Sequence, residues 1–149
     1  MSNIAHTILL SVREQYEKEA NLATSKNVTP GMLLEFTGTT TLYIQPHSNA
    51  SAIPSPKIVA VEAPWRMGSG IEDAYDQDGE RVVFHYLLPG DQFYALLEAG
   101  GQVDSYADRL GSNADGTVQI ATTYAFLRPL ELVDNSAGYT AVRIRVEVL

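Results

Sequence analysis

Three histidines, His6, His47 and His85, are the side chains of this chain best suited to acid–base work near neutral pH. No two stand four apart with a glutamate between them, the spacing that puts a metal-binding pair on one helix face. His85 lies between Phe84 and Tyr86 in an apolar run, where a histidine packed for structure is expected. Gly68-Ser69-Gly70 offers a serine between glycines, but Met67 occupies a position where a nucleophile elbow needs glycine. No lysine follows a glycine cluster as in a phosphate-binding loop. The absence of cysteine excludes disulfides, thiolate metal sites and cysteine nucleophiles.

The densest cluster of chemically competent groups is Glu72, Asp73, Asp76, Asp78 and Glu80. Carboxylates suit calcium, which takes six to eight oxygens. The EF-hand pattern fails here, however: with Asp78-Gly79 aligned to it, Ala74 falls at the first ligand and His85 at the last. A solvent-facing acidic turn is the expectation, with no metal and no cofactor. Carboxylate spacing alone does not exclude glycoside cleavage, but no other motif marks a hydrolase, and no enzyme is expected. Trp65, after Pro64, reads as a core or subunit-interface anchor. An alternative function is a virion- or cell-surface adhesion module that binds carbohydrate through Trp65, Tyr75 and the nearby acids around a calcium ion. A lipoyl- or biotinyl-carrier domain is discarded, because Lys18, Lys26 and Lys57 all lack the context of a carrier lysine.

The elements that must position these residues are mostly strands. Residues 1–26 contain no glycine or proline, and Ile4, Ile8, Val12 and Tyr16 recur every four residues, the spacing of a helical stripe. That segment is either an amphipathic helix or a tail that orders on a partner. From Thr29-Pro30-Gly31 onward, short β-branched and aromatic runs are expected as strands: 32–36, 39–44, 58–61, 81–88, 117–121 and 140–149. In the last of these Val142, Ile144, Val146 and Val148 alternate with Arg143, Arg145 and Glu147, giving one wet face. Asp115-Gly116 is a turn signal, residues 45–56 an exposed loop, and residues 91–100 either a capped helix or a buried strand. The whole is an all-β sandwich or small barrel.

The chain has 149 residues, a formal charge of −8 and 45% hydrophobic residues, enough for one domain with a packed core. Residues 72–115 hold ten acids against Arg81 and Arg109, and this stretch contains all of the excess negative charge. Such a balance argues against a protein that grips phosphate backbones, so no nucleic acid is expected as a partner. No secretory signal or membrane span is visible, and synthesis in a cytoplasm with no membrane partner is the expectation.

Residues 28–149 resemble the head decoration (cement) proteins of tailed bacteriophages, the class of the lambda head decoration protein. The resemblance rests on an ordered series of short motifs. Val28-Thr29-Pro30-Gly31-Met32-Leu33-Leu34-Glu35 comes first, followed by Ile58-Val59-Ala60-Val61-Glu62 and Gly70-Ile71-Glu72-Asp73-Ala74-Tyr75. Gly79-Glu80-Arg81-Val82, Leu88-Pro89-Gly90-Asp91 and Gly100-Gly101-Gln102-Val103 follow, then the Asp115-Gly116 turn, Leu130-Glu131 and the terminal strand. Ala107-Asp108-Arg109-Leu110 and Leu130 depart from the class pattern.

The resemblance implies a compact β-tulip or barrel-like domain over 28–149, with residues 1–27 as an N-terminal arm. It also implies a homotrimer on the outer surface of the virion, bound to the major capsid protein at three-fold positions of the expanded head. The arm would staple capsid subunits through Ile4, Ile8, Leu10, Val12, Arg13 and Tyr16, adding a strand to a capsid sheet edge with Ile8, Leu10 and Val12 on its buried face. The acidic turn would face solvent, away from the shell.

Overall fold

The computed structural model describes residues 7–12, 17–63 and 70–149. Thirteen strands follow one another, with no helix among the described residues. They are β1 (Leu9–Ser11), β2 (Glu17–Leu22), β3 (Leu33–Thr37), β4 (Tyr43–Pro46), β5 (Ile58–Ala60), β6 (Arg81–Tyr86) and β7 (Gln92–Leu97). The series continues with β8 (Gln102–Val103), β9 (Leu110–Ser112), β10 (Val118–Ile120), β11 (Leu127–Pro129), β12 (Val133–Asp134) and β13 (Val142–Val148).

Two assemblies of strands share one core. The first is a closed barrel in the order β2-β4-β3-β5-β6. The second is a sheet in the order β1-β7-β10-β9-β11-β13, in which β13 also pairs with β7, so the pairings from β7 round to β13 return to their starting strand. Closure leaves fewer unpaired edges, the usual hazard of short antiparallel strands. The small β8–β12 ribbon stands apart.

β6 shows why the runs read as they do. Val82 and Phe84 point to one face and Val83 and His85 to the other, and all four are buried. Such a strand is covered on both sides and is apolar throughout rather than alternating. β13 has one covered face: Ile144, Val146 and Val148 are buried, while Arg145 is exposed. Its wet face carries cross-strand pairs, Arg128 with Glu147 and Arg145 with Glu131.

Residues 91–100 resolve as strand β7, which pairs with β13 from Val142↔Leu97 to Glu147↔Gln92. The acidic residue that resembles a helix cap, Asp91, instead closes the β6–β7 turn by accepting a bond from the Leu88 amide (2.9 Å). Residues 39–44 form a strand only from Tyr43 onward. Gly38 (φ +108°) makes a tight reversal in which a Cβ would lie 1.9 Å from the Thr41 carbonyl oxygen, so residues 38–42 are turn. The expected exposed loop 45–56 loses its first residues to β4, and His47 and Pro54 are buried.

The N-terminal segment is extended rather than helical where it is described. Leu9 pairs with Phe93 and Ser11 with Gln92, so one residue of β1 is extra. This bulge breaks simple alternation: Ile8 is fully buried, Leu10 is 41% exposed and Val12 is half-buried. β2 belongs to the body, completing the barrel between β6 and β4.

One guanidinium joins the two assemblies. Arg143 on β13 donates from Nη1 to the Pro30 carbonyl (2.7 Å), from Nη2 to the Ile71 carbonyl and from Nε to Glu72 (3.1 Å). Gly31 (φ +99°) lets the chain pass beneath it, since a Cβ there would lie 2.7 Å from Nη1 of Arg143 and 2.8 Å from the Tyr94 carbonyl oxygen.

Candidate functional site

Glu35 and His47 meet at a cavity of about 170 Å³ that is also lined by Phe36, Ser55 and Pro56. The site follows from local pairing. Glu35 on β3 stands opposite Gln45 on β4, and Gln45 Nε2 donates across the hairpin to Glu35 Oε1 (2.9 Å). The Ser48 hydroxyl donates to the same oxygen. One residue past β4, the His47 amide donates to the Leu33 carbonyl (2.8 Å), and its own carbonyl accepts from the Gly116 amide (3.2 Å). The β9–β10 hairpin is thereby docked on the barrel. Gly116 (φ +87°) permits that approach, with Met32 and Pro46 each 3.1 Å from where a Cβ would sit.

The docked hairpin supplies Ser112, whose Oγ lies 2.8 Å from His47 Nδ1. Ser112 is 2% exposed, and assigning its hydroxyl as the donor to Nδ1 gives that hydroxyl an acceptor and places the imidazole proton on Nε2. Burial holds the His47 pKa below its ordinary 6.5, against the opposing pull of Glu35. Burial also pushes Glu35 upward, but the bonds from Ser48 and Gln45 and the proximity of His47 outweigh it, leaving the group below 4.5. At neutral pH the cavity therefore presents a carboxylate beside a neutral imidazole. Ser112 lies behind the ring and is sealed from the cavity, so the serine–histidine pair offers no accessible nucleophile.

A second buried pair lies at the β6–β7 turn. His85 and Asp91 are both 0% exposed, and His85 Nε2 is 3.6 Å from Asp91 Oδ2, beyond hydrogen-bond range. Both ring nitrogens of His85 are buried without a hydrogen-bond partner among the described residues. The histidine is packed within the wall of the barrel, opposite Glu17 and Val59.

The residues expected to form a capsid-binding arm do not share one environment. Ile8 lies in this chain's own core, where its amide donates to Glu62 (3.1 Å) and its carbonyl accepts from Tyr94 (2.9 Å). Leu10 is exposed on β1, which among the described residues pairs with β7 alone. Ile4, Arg13 and Tyr16 lie outside the described residues, as do Trp65, Met67, Gly68 and Ser69.

In the acidic turn Glu72, Asp73, Asp76 and Asp78 are exposed and Glu80 is half-buried. Several act locally: Asp78 accepts from the Ser25 amide (2.8 Å), and Glu80 from the amides of Asp76 and Gln77. No group of three or more His, Asp or Glu among the described residues is arranged to hold a metal ion. Tyr75, expected to face sugar in the alternative reading, is 1% exposed and its hydroxyl donates to the Val61 carbonyl (2.7 Å). That side chain is part of the core and cannot stack on a ligand.

The sequence matches no protein-family model and no curated protein. Among solved structures, the crystal structure of the head fiber gp8.5 N base in bacteriophage phi29 superposes with a TM-score of 0.59, covering 91% of this chain and 95% of that one. This chain has the fold of that head-fibre base. Sequence identity between the two is 14%, so the likeness is one of architecture.

Neither the Glu35–His47 site nor the Arg143 clamp is legible as a motif. Glu35 and His47 are twelve residues apart, and Ser112 comes from a different hairpin. The available signal was the His47 position itself, one polar residue directly after a strand.

Proposed function

We propose that this chain is a non-enzymatic structural protein of a tailed-phage head, a decoration protein bound to the major capsid protein. The observation that carries the reading is the end-to-end likeness to the phi29 head-fibre base, over 91% of one chain and 95% of the other. The ordered series of motifs that resembles head decoration proteins points the same way. In the finer form of this proposal the protein is a homotrimer seated at three-fold positions of the expanded capsid, on the outer surface of the virion. It has no nucleic-acid or membrane partner.

A protein that binds only the assembled shell stabilises it by mass action. Three binding segments per trimer would make weak individual contacts slow to release. Of the described arm residues, Leu10 on β1 is the one best presented to a capsid subunit, since Ile8 is already buried within the chain and Val12 is half-buried. The exposed acids at 72–78 would face away from the shell, where their charge keeps virions dispersed.

Co-sedimentation with expanded, undecorated phage heads tests the proposal. The protein should pellet with heads at micromolar concentration and show a trimeric mass by light scattering. Leu10→Asp should weaken pelleting while leaving the melting temperature within a few degrees. Absence of co-sedimentation sinks the capsid reading, and a monomer that still pellets sinks only the trimer.

A further inference from the structure

The cavity between Glu35 and His47 has no part in a capsid-stapling role. It has three notable features. It is small: a volume of about 170 Å³ suits one small ring rather than a chain or a drug-sized molecule. Its polar groups are prepared rather than incidental. Glu35 is fixed by Gln45 and Ser48, and His47 by Ser112 from the facing hairpin, so neither side chain must be ordered when a ligand arrives. Both groups also retain unused capacity. A carboxylate has about four acceptor sites, and Gln45 Nε2, the Ser48 hydroxyl and the Ser48 amide occupy three of them. His47 Nε2 has no hydrogen-bond partner among the described residues and is not fully sealed from solvent, and the His47 side chain lines the cavity.

The electrostatics narrow the ligand class. An anion would face the Glu35 carboxylate and gain no cation in exchange, because His47 is neutral. A cation would meet the Nε2–H donor head-on, and no third acidic or imidazole ligand completes a metal shell among the described residues. An uncharged ligand is left, one that accepts a hydrogen bond from His47 and donates one to Glu35. Neighbouring hydroxyls on one ring do both, and Phe36 and Pro56 supply an apolar wall for the ring's C–H face. Phe36 is held in place for this by an edge-on contact with Phe84 (centroids 5.6 Å apart, planes at 81°).

We infer that the Glu35–His47 cavity binds a single neutral sugar ring, with Glu35 accepting from one hydroxyl, His47 Nε2 donating to its neighbour, and Phe36 and Pro56 packing against the ring. This differs from the calcium-dependent site around Trp65 and Tyr75 considered from the sequence, and it does not depend on capsid binding.

The test is a panel of neutral methyl glycosides titrated into the full chain and followed by amide chemical shifts. At least one should bind with a Kd on the order of millimolar, the range of a lone ring with few contacts, and shift the amides of Phe36, His47 and Ser55. Glu35→Gln, nearly isosteric, should weaken that binding by about tenfold or more with the melting temperature preserved. His47→Gln should weaken it as well; should that variant not fold, Phe36→Leu replaces it as the second probe. Acetamide and acetate serve as competitors. If no glycoside shifts these amides, if the variants bind as wild type, or if acetamide or acetate occupies the cavity in preference, the inference is wrong.

Discussion

Replacing Arg143 by alanine should be one of the most damaging single changes on the polar face of β13. The side chain is 12% exposed, and its guanidinium donates to two main-chain carbonyls, Pro30 and Ile71, that lie in different parts of the fold. Hydrogen bonds from a charged donor contribute roughly 1.5–3 kcal/mol each, and a buried carbonyl left without its partner costs a similar amount. Pro30 and Ile71 are both buried, so water replaces the lost donor poorly. The ion pair with Glu72 adds little, because that carboxylate is 81% exposed. Taking the lower end for two carbonyls gives a loss of about 3–4 kcal/mol. For a domain of this size that corresponds to a fall in melting temperature of about 6–16 °C.

Thermal unfolding followed by circular dichroism, with urea midpoints as a second measure, reads the effect directly. Arg143→Lys should fall between, since an ammonium supplies charge but not the planar fork that reaches two carbonyls at once. Arg143→Met, which keeps the apolar stem, should be nearly as damaging as alanine. Glu72→Ala should cost under about 1 kcal/mol. The reasoning fails if Arg143→Ala melts within 2–3 °C of wild type, or if Glu72→Ala matches it; the second result would make the surface ion pair, not the carbonyls, the source of stability.

Other expectations follow from the same geometry. Gly31→Ala should destabilise by about 2 kcal/mol or more, read by urea unfolding, because it adds a Cβ at φ +99° against the Arg143 guanidinium and the Tyr94 carbonyl. Ile8→Ala should cost about 2–5 kcal/mol, as for any fully buried isoleucine, whereas Leu10→Ala should cost under about 1 kcal/mol; equal losses would contradict the burial difference between them. His47 has a pKa below 6.5 in the folded chain, so the unfolded state binds the extra proton and stability falls as pH drops through about 6.5. His47→Gln should flatten that part of the pH–stability curve. Glu98 is pushed above 4.5 by burial and then by the charge of Asp115, so its ionised form costs stability above that pH. Glu98→Gln should therefore raise the melting temperature at pH 7, with the gain disappearing below about pH 4.5.

The sequence by itself determined the fold class and most of the strand positions after residue 28. Period-two alternation in 142–148 and the apolar run Val82-Val83-Phe84 are direct consequences of one-sided and two-sided burial, and both follow from residue type alone. Asp115-Gly116 gave the β9–β10 turn because Gly116 adopts a positive φ that other residues avoid. The short strands β8, β9, β11 and β12 were not legible, since two or three residues carry too little periodicity to be distinguished from loop.

Tertiary structure decided the rest. β2 is a strand despite the charged sequence Glu17-Lys18-Glu19, because β6 and β4 offer it main-chain partners on both edges and it need bury only Leu22 completely. Tyr75 became a core residue because Val61 lies within reach of its hydroxyl. Glu35, His47 and Ser112 became one site because Gly116 lets the β9–β10 hairpin dock on the barrel. A linear sequence records which groups are present, but their protonation and their unused hydrogen bonds depend on neighbours brought together from distant segments, and those neighbours exist only once the two assemblies close on each other.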